Sequence, residues 1–133
     1  MVYQTISKPS VSELKVAPNL GDYDEAVAGF DWQQIYDELA WLPDGGLNNA
    51  YEAIDRHVAQ GQGDKPALLW EGKNGEQESY TFADLKRESD RFANVVTDLG
   101  FERGDRVFIF MDRLPELYFA FFGTLKAGGV VGP

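Results

Sequence analysis

The sequence predicts an α/β protein, an incomplete parallel-sheet unit with covering helices, and three features of Gly104–Pro133 predict it. Val107–Met111 is a continuous apolar run with β-branched and aromatic members, the pattern of a strand buried on both faces. Pro115 then supplies a preset φ at a first helical position, and Glu116 places a carboxylate against the positive helix end. The helix that follows has a stripe of Leu117, Tyr118, Phe121, Phe122 and Leu125 and a small-residue face of Ala120, Gly123 and Ala127. Being apolar nearly all round, it is expected in an interior. Gly128 and Gly129 end it, and Val130–Val131 opens a second strand, completing the outline of a β-α-β crossover.

Earlier elements follow in order. Residues 1–24 are polar and interrupted by Pro9, Pro18 and Gly21, so they read as an extended or poorly ordered leader, with the folded part over 25–133. Asp22, Asp24 and Glu25 cluster, but Ala26 stands where an EF-hand loop needs its third ligand, and a solvated acidic turn is expected. A helix is predicted from Asp31 as cap, with Gln34 in the capping-box place and Phe30 and Ile35 spaced as a staple. Leu42-Pro43-Asp44-Gly45-Gly46 breaks it. A second helix is predicted over about Asn48–Gln60, with Tyr51, Ile54 and Val58 on one side and Glu52–Arg56 as an i,i+4 pair. Ala67–Trp70 and Ser79–Tyr80 read as strands of a hairpin around Asn74-Gly75. The clearest helix is Phe82–Leu99, with Thr81 as cap, Asp84 in the capping box, and a buried stripe of Phe82, Leu85, Phe92, Val95, Val96 and Leu99. Gly100 is placed for the left-handed position of a Schellman motif, with Phe101 packing back.

Composition narrows the chemistry. A formal charge of −10 over 133 residues argues against non-specific binding to nucleic acid or to anionic membrane. With no cysteine, there is no disulfide, thiolate nucleophile or cysteine metal site. No apolar run approaches the roughly 20 residues that span a bilayer, and Met1–Asn19 has no apolar core of a signal peptide, so a cytoplasmic location is expected.

The one histidine, His57, lies in Asp55-Arg56-His57, where adjacent helical residues point apart and cannot converge on a substrate. A structural or surface role is expected for it. Gly61-Gln62-Gly63-Asp64 follows a helix rather than a strand and lacks the third glycine of a dinucleotide fingerprint, so it reads as a plain loop. Neither a G-x-S-x-G elbow nor a G-x-x-x-x-G-K-[ST] phosphate loop occurs. Lys126, in a last helical turn, reads as a charge compensating the helix dipole. No catalytic, cofactor-binding or metal-binding residue is assigned.

The order of the pieces nevertheless carries a resemblance. GDYDEAVAGFDW at Gly21–Trp32, LNNAYEAIDRHV at Leu47–Val58, YTFADLKRESDRFANVV at Tyr80–Val96 and the whole of Gly104–Pro133 resemble the amino-terminal region of the AMP-forming acetate–CoA ligases. These belong to the wider adenylate-forming family. The YTF-x-[DE]-L helix start and the GDRV strand are shared across that family, whereas the stretch ending in Asp55-Arg56-His57 and the Phe30-Asp31-Trp32 helix start point to the acetate-type ligases.

The resemblance implies the start of a large adenylate-forming domain over 25–133. It also implies a parent enzyme using ATP, Mg²⁺ and coenzyme A on acetate through an acetyl-adenylate. The family's Ser/Thr/Gly-rich phosphate loop, nucleotide contacts and catalytic lysine have no matching motif in these residues, so none is carried over. The fragment alone is expected to be inactive and to bind none of these cofactors, its main partner being the remainder of such a protein. Two alternatives stand beside it: another short-chain ligase, such as one for propionate, and a non-catalytic acidic interaction module.

Leu114 departs from the family, which often has Ser, Thr or Asn just before the Pro-Glu pair; Asp112 stands where Pro or Asn is common. Restoring a polar cap with Leu114→Ser is expected to stabilise by about 0.5–1 kcal/mol, read as an upward shift in a chemical-denaturation midpoint.

Overall fold

The computed structural model describes Ser7 and residues 9–133, in two compact units, Met1–Glu38 and Leu39–Pro133. The leader expectation for residues 1–6 and Lys8 lies outside the described residues. In the first unit, Val11–Glu13 forms a 3₁₀ turn, with the Ser10 amide donating to Glu13 Oε2 at 2.8 Å. Helix α1 spans Tyr23–Ala28. The acidic cluster proves to be its start: the Glu25 amide donates to Asp22 Oδ1 at 3.0 Å, and Asp24 and Glu25 fill the first turn, where negative charge meets the positive helix end. Helix α2, Trp32–Glu38, begins as predicted at Asp31, whose Oδ1 accepts from the Gln33 amide at 2.9 Å. The Phe30 ring packs edge-on against Trp32, with centroids 5.1 Å apart. Every described residue of this unit is exposed.

The second unit opens on a turn in which Gly45 takes φ 77°, and its Leu42 and Gly46 are bonded amide to carbonyl at 2.9 Å. Asn48 Oδ1 then accepts from the amides of Ala50 and Tyr51 at 3.1 and 3.2 Å. The helix predicted from about Asn48 is present, but Tyr51–Asp55 is wound as a π-helix before α3, Arg56–Ala59. Ala50 and Ile54 are the buried positions, while Tyr51, expected on the inner side, is 39% exposed. The wider i→i+5 winding moves the inner face off the 3.6-residue spacing from which it was read. The Glu52–Arg56 pair forms at 3.1 Å.

Gly61, at φ 78°, turns the chain out of α3. The Gly61–Asp64 loop has a local task. The carbonyls of Gly63 and Lys65 accept from the amides of Ala83 and Phe82 at 2.9 and 3.1 Å, donors that a helix start would otherwise leave unpaired. Strands β1, Pro66–Glu71, and β2, Gln77–Thr81, form the predicted antiparallel hairpin, with Leu68 opposite Tyr80 and Trp70 opposite Glu78.

Helix α4, Phe82–Asp98, starts with the full capping box: Thr81 Oγ1 accepts from the Asp84 amide, and Asp84 Oδ2 accepts from the Thr81 amide at 3.0 Å. It ends in the predicted Schellman motif. Gly100, at φ 89°, donates to the Thr97 carbonyl at 2.9 Å, and Phe101 donates to that of Val96 at 3.1 Å.

Strand β3, Arg106–Phe108, runs parallel to β4, Val130–Gly132, with Val107 opposite Val131, and α5, Pro115–Lys126, crosses between them. The β-α-β unit is therefore present. Helix α5 also closes in a Schellman motif, the amides of Gly128 and Gly129 donating to the carbonyls of Leu125 and Thr124 at 3.0 and 2.9 Å.

Burial departs from the sequence reading in three places. Strand β3 is shorter than Val107–Met111 and is not buried on both faces, since Phe108 and Phe110 are 80% and 106% exposed. Burying both faces of a parallel strand takes covering layers above and below the sheet, and the crossover from β3 to β4 supplies one helix, α5. In α5 the small face is the buried one: Pro115, Ala120, Gly123 and Thr124 are inside, and Tyr118 of the aromatic stripe is exposed. In α4 the inner positions are Leu85 and Ser89, with Val95 and Leu99 exposed. One contact explains both helices. A Cβ at Gly123 would lie 2.7 Å from the Ser89 carbonyl oxygen and 2.8 Å from Phe92 Cβ, so α5 lies directly on α4 at Ser89. The Ser89 hydroxyl turns back onto the Leu85 carbonyl at 2.5 Å and leaves that surface free of polar projection.

Gly123→Ala is accordingly expected to destabilise by about 1–3 kcal/mol through overpacking, measured by urea unfolding. Acid offers a second test. The Thr81 amide, then the Thr81 hydroxyl and Arg87, hold the Asp84 carboxyl down at about 2. A depressed carboxyl contributes stability above its unfolded value of about 4 and loses it as pH falls toward 2. Asp84→Asn is expected to flatten the stability profile across that window, measured as unfolding midpoint against pH.

Candidate functional site

Four charged side chains from three helical segments meet in the second unit. Asp55 stands where the π turn passes into α3, Lys86 and Asp90 are one turn apart on α4, and Lys126 is the last residue of α5. Lys126 Nζ lies 2.7 Å from Asp55 Oδ2 and 2.5 Å from Asp90 Oδ1. Lys86 Nζ reaches the remaining oxygens, Asp55 Oδ1 at 3.2 Å and Asp90 Oδ2 at 2.5 Å. Each carboxylate thus bridges both ammonium groups, and the cluster is neutral. The Lys126 and Asp55 side chains are only 11% and 12% exposed. Burial by itself would raise the Asp90 carboxyl, but hydrogen bonds from Lys126 and Lys86 outweigh it and hold that carboxyl low. The same bond to Asp90, with Asp55 behind it, raises Lys86. Such a closed ring offers no free base or nucleophile. Its chemistry is that of a clasp, and Lys126 makes these pairs from the last turn of α5, where its charge also meets the negative helix end as expected.

Asp55-Arg56-His57 is split among separate partners. Asp55 joins the ring, Arg56 pairs with Glu52, and the His57 imidazole stacks on Phe82 with centroids 4.5 Å apart. The buried His57 Nδ1 has no hydrogen-bond partner among the described residues. Among the described residues, no three His, Asp or Glu side chains are grouped to hold a metal ion.

Other contacts fix the hairpin and the loop before the π turn. Trp70 Nε1 donates to the Arg113 carbonyl at 2.7 Å, and the Tyr80 ring meets Phe119 edge-on at 5.3 Å. The Tyr80 hydroxyl donates to Glu78, which pushes its pKa up to about 12. Asn48 Nδ2 donates to the Leu125 and Lys126 carbonyls at 3.2 and 3.3 Å, so one side chain caps the end of α5 and the start of the π turn. Beside it lies a cleft of about 230 Å³ lined by Leu42, Asn48, Arg103 and Gly128, in which Arg103 is paired to Asp44 at 3.0 Å. A second cavity, about 220 Å³, is wholly apolar and lies among Leu117, Tyr118, Phe121, Phe122 and Pro133.

The sequence reading missed the ring and the double cap, because both join residues far apart in the chain. The one local signal was the i,i+4 spacing of Lys86 and Asp90. Lys126→Met is expected to destabilise by about 3 kcal/mol, the lower end of the range for broken buried pairs, because Lys86 and Asp90 are partly exposed. Lys86→Met should cost less. Urea unfolding of the two variants checks the order.

Residues 55–133 match the family model described as AMP-binding enzyme. The chain is 46% identical over 116 residues to the acetyl-coenzyme A synthetase of Bacillus subtilis, covering 86% of this chain and 20% of that protein. It is 38% identical over 130 residues to that of Deinococcus radiodurans, covering 96% and 19%. Among solved structures, a Brucella canis acyl-CoA synthetase superposes with a TM-score of 0.76 at 33% identity, over 86% of this chain and 20% of that one. The acetoacetyl-CoA synthetase of Streptomyces lividans does so with a TM-score of 0.58 at 31% identity, over 65% and 13%. The chain thus spans about a fifth of the length of the curated relatives it matches. The capped α4, the GDRV strand and the crossover through α5 all fall inside the matched region, and the chain belongs to the AMP-binding enzyme family of adenylate-forming proteins.

Proposed function

We propose that the chain is the amino-terminal portion of an AMP-forming acetate–CoA ligase that works in the cytoplasm. The observation that carries this reading is the 46% identity, over 86% of the chain, to a protein named acetyl-coenzyme A synthetase. In the proposed reaction acetate attacks the α-phosphate of ATP, releasing pyrophosphate and forming acetyl-adenylate. The coenzyme A thiol then attacks the acetyl carbonyl and displaces AMP. Mg²⁺ would supply charge neutralisation at the phosphates. Among the described residues, no three His, Asp or Glu side chains are grouped to hold that ion.

The proposed contribution of these residues is architectural. Helix α5 on α4, with the ring of Asp55, Lys86, Asp90 and Lys126, holds β3 and β4 parallel as the first strands of a larger sheet. The exposed Phe108, Phe110 and Val130 are then surfaces for the remainder of that domain. The 133 residues contain no glycine-rich phosphate loop to offer convergent amide donors, and a net charge of −10 repels nucleotide.

Acetate-dependent exchange of pyrophosphate into ATP tests the reading. A protein carrying this chain as its amino-terminal portion should catalyse the exchange, and should form acetyl-CoA when coenzyme A is added. The 133-residue chain alone should do neither. Exchange by the chain alone would overturn the fragment reading. An extended protein that ignores acetate and activates propionate or a longer acid would move the substrate assignment elsewhere in the family.

A further inference from the structure

We draw no further inference here: the strongest candidate, the unpartnered apolar face of Phe108, Phe110 and Val130 on the β3–β4 pair with the apolar cavity beside α5, adds nothing to the proposal above because nothing in the structure shows what covers it.

Discussion

The missing side chain at Gly123 lets one helix rest on the backbone of another, and the second unit is arranged around that contact. With the Ser89 carbonyl and Phe92 so near, α5 can meet α4 only through its small residues, Ala120, Gly123 and Thr124. Of its aromatic residues, Phe119 meets Tyr80 of the hairpin and Tyr118 is exposed. Thr124, fully buried, sends its hydroxyl back to the Ala120 carbonyl at 2.8 Å, as Ser89 does to Leu85 on the facing helix. Two small hydroxyl residues thus line the crossing without an unpaired polar group, which burial would otherwise penalise.

The ring of four charges works on the same junction from one side. Taking ions out of water costs free energy, and a buried pair is weak evidence of net stabilisation. Its geometric consequence is clearer. Each carboxylate binds both ammonium groups, so sliding α5 by one turn along α4 would strand Lys126 away from Asp90 and Asp55 together. Asn48 fixes the same helix end from another direction, by accepting from the π turn and donating to α5. Between them, packing determines which faces meet, and the polar contacts determine at which turn they meet.

The position of β4 follows from that register. Helix α5 ends at Gly128, where φ is 78°, and the Val130 amide donates to the Asp105 carbonyl at 2.8 Å, which starts the parallel ladder with β3. The hairpin is held to the same frame through Trp70 on the Arg113 carbonyl and Tyr80 on Phe119. The chain spans about a fifth of the length of the acetyl-coenzyme A synthetases it matches, and beside this frame Phe108 and Phe110 stand exposed.

The features that depend on neighbours in the chain could be read from the residues alone. The Thr81–Asp84 box, the Gly100 and Gly128 helix stops, Pro115 at a first helical position and the Asn74-Gly75 hairpin were all legible. Each rests on hydrogen bonds or backbone angles within a few residues. The α/β class was legible for the same reason, since the order of strand, helix and strand carries it. Tertiary structure decided which face of each helix is inside. A helix apolar nearly all round, like α5, offers several faces, and only the close approach at Gly123 selects the small one. It also decided the role of Lys126, because Asp55 and Asp90 come within reach only after three helices have packed. Periodicity along a chain records how apolar a face is; which surface it meets depends on shape and charge supplied by residues far away in sequence.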